Sequence, residues 1–196
     1  MSGNKPLLFR GLALVCSLIV VVGGVARLYR GLTASGGATI EPKVTQILEE
    51  SDAAVQEANR LKTEALSEFQ TLLADFDGME VATFRSEKQA ASSELIAKFT
   101  MAGDRLKLAA AKLHEAIKIG VDKKTDSYLA AQARADELIA QVVMRNVEIL
   151  QTLLDPANTD KQAITAQVLA IAAQREVTNK SADEAAEEAT SILKQS

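Results

Sequence analysis

The residues able to do chemistry in this chain are few and isolated. It carries one histidine, His114, and one cysteine, Cys16. A single imidazole cannot supply a two-histidine zinc site, a facial triad or the paired Glu-x-x-His motifs of a di-iron bundle. Ala111 also stands three residues before His114, where such a motif needs glutamate. The expectation for His114 is a partly exposed, pH-sensitive polar contact next to Leu113. One thiol makes no internal disulfide, and Val15 before Cys16 is not the small residue of a lipoprotein signal, so Cys16 reads as a packing residue. No glycine-rich phosphate loop, nucleophile elbow or Cys-x-x-Cys occurs. Carboxylates are plentiful but lack a positioned base, nucleophile or metal beside them. The sequence therefore predicts no catalytic residue, no metal and no cofactor.

The basic residues offer binding rather than catalysis. Lys118, Lys123 and Lys124 flank Gly120, with Arg105, Lys107 and Lys112 just upstream. One reading sets this turn against anionic lipid headgroups, at roughly 1 kcal/mol per basic residue. The other makes it a solvated face paired with Asp183, Glu184, Glu187 and Glu188, diluted by Glu115 and Asp122. Arg145 and Arg175 fall near inward positions of helices. They either hold an anionic ligand between helices or turn outward to an acid such as Glu148. Asn179-Lys180-Ser181 matches a glycosylation acceptor, but so short a pattern arises by chance and lies within a predicted helix.

Charge is divided into two blocks. The net charge of -4 conceals four basic residues before Glu41 with no acid among them: Lys5, Arg10, Arg27 and Arg30. From Glu41 onward 18 basic residues face 26 acidic ones, a balance of -8. An acidic body repels phosphate backbones, and no aromatic residues interleave with Arg or Lys as a stacking groove requires, so nucleic acid is not an expected partner. Between Arg10 and Arg27 runs an uncharged apolar segment, residues 11–26. With Leu7, Leu8 and Phe9 it reaches about twenty residues, the length of a bilayer-spanning helix, if Arg10 snorkels to the headgroups. Lys5, Arg10, Arg27, Tyr29 and Arg30 then flank the membrane, Tyr29 as an interfacial anchor. The alternatives are a buried core helix, or a cleaved signal peptide with Gly24 and Ala26 before the cut, which Arg27 and the length of the apolar run disfavour. The sequence thus divides into a short basic tail (1–10), an anchor or signal with its basic flank (11–30), a small-residue linker (31–41) and a body (42–196).

The body has to be helical. It is alanine-rich, the whole chain holds 3 Pro, 10 Gly and no Trp, and aromatic residues make up 4%. That composition favours helix over a sandwich or barrel. Setting Gly103 aside, Pro42, Gly78, Gly120 and Pro156 divide it into four near-equal segments, about 42–77, 80–119, 125–155 and 158–194. Apolar residues recur three and four apart in each, as in Val44, Ile47, Ser51, Ala54, Ala58, Leu61, Ala65, Phe69, Leu72 and Phe76. The second stripe runs through Phe84, Ala91, Leu95, Phe99, Ala102, Leu106, Ala109, Leu113 and Ile117. The third uses Tyr128, Ala131, Ala135, Leu138, Val142, Ile149 and Leu153. The fourth uses Ile164, Val168, Ile171, Arg175, Ala182, Ala185, Ala189 and Ile192. Expected stops and starts are a left-handed Gly78, a cap at Thr125 or Asp126, and a cap at Asn158 or Thr159. The fold class expected is all-α: an N-terminal transmembrane helix, then an elongated, coiled-coil-like antiparallel four-helix bundle. Its Gly78 end gathers Phe69, Phe76 and Phe84 and should pack best. Its last helix, broken by Arg175 and ending in Ala and Glu, should pack least.

Function follows from this anatomy as expectation only. A single-pass membrane protein with a non-catalytic bundle body, outside the cytoplasm, acts as a scaffold, spacer or accessory interaction subunit. Its partners are the lipid bilayer and a protein or a second copy of itself. The alternatives are a ligand-sensing bundle, similar in architecture alone to those of chemoreceptor-like proteins and working through a partner, or a secreted helical carrier or chaperone if the first segment is cleaved.

Overall fold

Four long helices account for all the secondary structure among residues 41–194, the part of the chain that the computed structural model describes. They are α1 (Pro42–Gly78), α2 (Val81–Ile119), α3 (Lys123–Leu154) and α4 (Lys161–Lys194). The expected basic tail, membrane span and most of the linker lie outside the described residues. At 1.5 Å per residue the helices run about 50 to 60 Å. There is no strand among the described residues, and the four helices form a bundle.

Ion pairs and aromatic contacts show the antiparallel register of α1 and α2. Asp75 meets Lys88 at 2.7 Å, Glu68 meets Lys98 at 3.4 Å and Glu50 meets Lys112 at 2.7 Å. As numbers fall along α1 they rise along α2. Every residue of the expected α1 stripe is buried, from Val44 to Phe76. Phe76 and Phe84 meet edge to face at 5.2 Å, and Phe69 and Phe99 do so at 5.4 Å. These rings anchor the larger apolar cluster, which fills the Gly78 end and reaches Ile164 and Val168 of α4. A second cluster fills the opposite end, from Val44, Ile47 and Leu48 through Ala116 and Tyr128 to Ala189. The start of α1, the Gly120 turn and the end of α4 therefore share one end of the bundle.

Close backbone packing joins α1 to α2, α2 to α3 and α3 to α4, and there is no comparable approach between α1 and α4. Small residues make the close seams possible. At Gly103, a Cβ would meet the Met144 Sδ at 3.2 Å, so the absent side chain lets α2 lie close to α3. α3, flanked closely on two sides, buries a broader face than one stripe. Asp136, Ile139, Val143, Asn146 and Val147 join the expected residues inside, and Leu138 is only half-buried.

Helix ends depart from expectation in instructive ways. Gly78 is not left-handed; α1 runs through it and stops at an extended Met79, φ -111°. Gly120 alone among the described residues takes a positive φ, 96°. α3 begins before Thr125 because Asp122 caps it, its carboxylate accepting from the N–H of Lys124 at 3.0 Å and of Thr125 at 3.1 Å. The Thr125 hydroxyl donates to the same carboxylate, and this bond, with the N–H bonds, holds the Asp122 carboxyl below its usual range. α4 starts later than expected, capped by Asp160 rather than Asn158 or Thr159. Asp160 Oδ1 accepts from the N–H of Gln162 at 2.8 Å, while Asn158 Oδ1 serves the turn by accepting from the Asp160 N–H at 3.2 Å. In α2, Ala91 is exposed and Ser92 takes the buried position.

Candidate functional site

Two places in the bundle concentrate polar chemistry: the Gly120 end and a layer midway along the bundle. At the Gly120 end, Lys118 closes α2 and Lys123 and Lys124 open α3. These three lysines share that end with Lys43 at the start of α1 and Lys194 at the end of α4. Neither Lys118 nor Lys123 forms an ion pair within 4 Å among the described residues. The acidic face of α4 contributes instead to a loose contact of Glu188 with Arg134 at 3.9 Å. Asp122, the nearest acid in sequence, is committed to capping α3. Lys5, Arg10, Arg27, Tyr29 and Arg30, the expected membrane-flanking residues, lie outside the described residues.

His114 is exposed and faces Glu137 across the α2–α3 seam, Nε2 to Oε1 3.2 Å, as a polar surface contact. Arg145 turns to Glu148 at 2.6 Å. Arg175 does the opposite and stays inside, 6% exposed. Sequence periodicity had set both arginines near inward positions; the available acid one turn along α3 draws out only Arg145.

The middle layer was not legible as a site. Asp136 of α3 is 1% exposed and accepts one hydrogen bond, from Gln132 Nε2 at 3.1 Å to Oδ1. Its Oδ2 is buried without a hydrogen-bond partner among the described residues. Burial pushes the Asp136 carboxyl up to about 7, against the pull of Gln132 and of Lys62 on α1. Lys62 is half-buried, and its ammonium donates to Asn59 Oδ1 at 3.3 Å. Desolvation lowers it to about 8, helped by the repulsion of Arg175 on α4 and opposed by Asp136. Asn146 lies buried on α3, its Oδ1 likewise without a hydrogen-bond partner among the described residues. α3 thus buries one carboxyl and two amides, α4 buries Arg175, and Lys62 of α1 stays half-buried. Polar residues on a helix are ordinarily read as its wet face, and nothing in the sequence marks Asp136 and Asn146 as inward.

Among the described residues there is no group of three or more His, Cys, Asp or Glu side chains able to hold a metal ion. Nor is any helix among them long and apolar enough to cross a membrane. No protein-family model matches the chain, and no curated protein or solved structure matches it either.

Proposed function

We propose that this chain is a membrane-held, non-catalytic helical bundle that works by interaction, as a scaffold, spacer or accessory subunit. The observation that carries the reading is the order of its parts. An uncharged apolar run over residues 11–26, bracketed by Arg10 and Arg27, feeds through a small-residue linker into the end of the bundle where α1 starts. That end also bears Lys118, Lys123 and Lys124, so an anchor joined to the start of α1 would bring the basic turn toward the bilayer. Two of those ammonium groups have no ion pair within the bundle, which suits contact with anionic headgroups. On the outer face of α2, Met101 and Leu108 are 50% and 41% exposed one heptad apart, a small apolar stripe available to a protein partner.

The test is alkaline extraction of membranes from cells making the full chain, followed by its intact mass. A full-length mass in the membrane pellet is the expected result. Photo-cross-linking from positions 101 and 108 should then trap a neighbour. A soluble product lacking about the first 26 residues ends the anchor reading and supports a secreted carrier or chaperone instead.

A further inference from the structure

We propose that the outer face of α2 pairs with the same face of a second copy of this chain, the two helices running parallel. The pairing rests on the anchored reading above and names the partner that its apolar stripe meets. Three large apolar side chains are exposed among the described residues, and two of them, Met101 and Leu108, share this face. Exposed Ala90 and Ala97 continue their line toward the Gly78 end. Phe99, Leu106 and Leu113 point the opposite way into the core, so no helix of the bundle covers the stripe. Two large side chains per copy make a seam too narrow for a tight pair free in solution. Two anchors in one bilayer raise the effective concentration and leave only parallel orientations open.

The charges beside the stripe are self-complementary in that orientation. With about 100° of turn per residue, Asp104 lies about 50° to one side of the Met101–Leu108 line and Arg105 about 50° to the other. Both are exposed. A two-fold axis along the helices sets Asp104 of each copy level with Arg105 of the other, giving two pairs of opposite charge. An antiparallel pair centred between Met101 and Leu108 sets Asp104 against Asp104 and Arg105 against Arg105 instead. Arg105 makes no ion pair within 4 Å among the described residues, and Asp104 has only a solvated contact with Lys107 at 3.6 Å. Lys107 itself turns about 110° from the line, toward α3, and stays outside the seam. Nearer the Gly120 end the pattern repeats: exposed Glu115 lies on the Asp104 side and Lys112 on the Arg105 side, although Lys112 also meets Glu50 at 2.7 Å.

The experiment is oxidative cross-linking of the full chain in membranes, with Cys16→Ala and one new cysteine at a time from Met101→Cys, Leu108→Cys or Val177→Cys. In a parallel pair each seam position meets its own copy, so Met101→Cys and Leu108→Cys should each give a disulfide-linked dimer of twice the chain mass. Val177→Cys, more exposed but on α4, should give several-fold less. Asp104→Lys and Arg105→Glu should each lower the linked fraction from position 101 several-fold, and the two together should restore it. Every bundle residue altered is exposed, so the variants keep the fold. Equal linkage from position 177, linkage only to a different protein, or no rescue by the charge swap overturns the pairing. A chain that stays in the alkaline-extracted pellet without linking overturns the pairing and leaves the anchor standing. A soluble chain overturns both.

Discussion

Arg85 and Leu153 lie 68 positions apart, yet the Arg85 Nε donates to the Leu153 carbonyl at 3.0 Å. Its Nη2 continues to the Asn158 carbonyl at 2.6 Å, so one guanidinium from the first turns of α2 closes the end of α3. Lys161 does the same for α1: its ammonium donates to the carbonyls of Asp77 and Met79 at 2.9 and 2.6 Å and lies 5.6 Å from the Phe76 ring centroid. Carbonyls left over at helix C-termini are satisfied by cations from another helix, and both clamps sit at the end packed with aromatic rings. Lys161→Met keeps the stem and removes the clamp, so it should cost about 1–2 kcal/mol and lower the melting temperature by about 3–6 °C. An unchanged calorimetric melt would show that water serves those carbonyls equally well.

Gly103 separates two effects that oppose each other. Gly103→Ala adds helix propensity worth about 1 kcal/mol and brings a methyl to 3.2 Å from the Met144 Sδ. Met144 is flexible and half-buried, so it yields, and the variant should be neutral or slightly more stable in urea denaturation. Gly103→Leu cannot be accommodated so easily; it should destabilise by about 1–3 kcal/mol by forcing α2 from α3.

The cap of α3 makes an acid-side prediction. Asp122→Ala loses the bonds to Lys124 and Thr125 and should cost about 1 kcal/mol at pH 7. The Asp122 carboxyl is held below its usual value, so its contribution is complete above the ordinary aspartate range and is lost as pH falls through the folded value. Wild type and variant should therefore converge in stability toward pH 2. A constant gap across the acid range would show that the loss in Asp122→Ala is not electrostatic.

Lys62 makes the alkaline counterpart. Its ammonium is held at about 8 rather than 10.5, so folding penalises its charge fully below pH 8. The penalty fades between about 8 and 10.5, where the unfolded chain still holds the proton and the folded one does not. Stability should rise with pH across that window. Lys62→Met should flatten the rise and add on the order of 1–3 kcal/mol at pH 7, read by chemical denaturation at both pH values. A variant less stable than wild type at pH 7 would mean that Lys62 holds the layer together rather than straining it.

How much of this was readable in advance depends on how wide a face each helix buries. α1 packs closely along one neighbour, so a single stripe of three-and-four spacing describes it, and each residue from Val44 to Phe76 in that stripe is buried. α3 buries a wider face than one stripe covers: Asp136, Asn146 and Gln132 enter the interior from its margins. Hydropathy also misplaces small residues. Ala91 looks more apolar than Ser92, yet helical phase turns Ser92 inward and leaves Ala91 in solvent. Turn residues were read correctly as breaks and less well as geometry, because a carboxylate two or three residues away, Asp122 or Asp160, fixes the first turn of α3 and α4. The polar layer was hidden for the same reason as the α3 margins: it requires knowing which helices lie on either side.

The beginning of α1 and the end of α4 meet at one end of the bundle, on the side where no close seam joins them. A load applied between those two ends would therefore peel α1 from α2 or α4 from α3 turn by turn, instead of shearing the full helix length at once. Force applied from the aromatic end toward that same base meets all three close seams lengthwise. The bundle should therefore be mechanically anisotropic, compliant when α1 and α4 are drawn apart at the base and stiff along its axis.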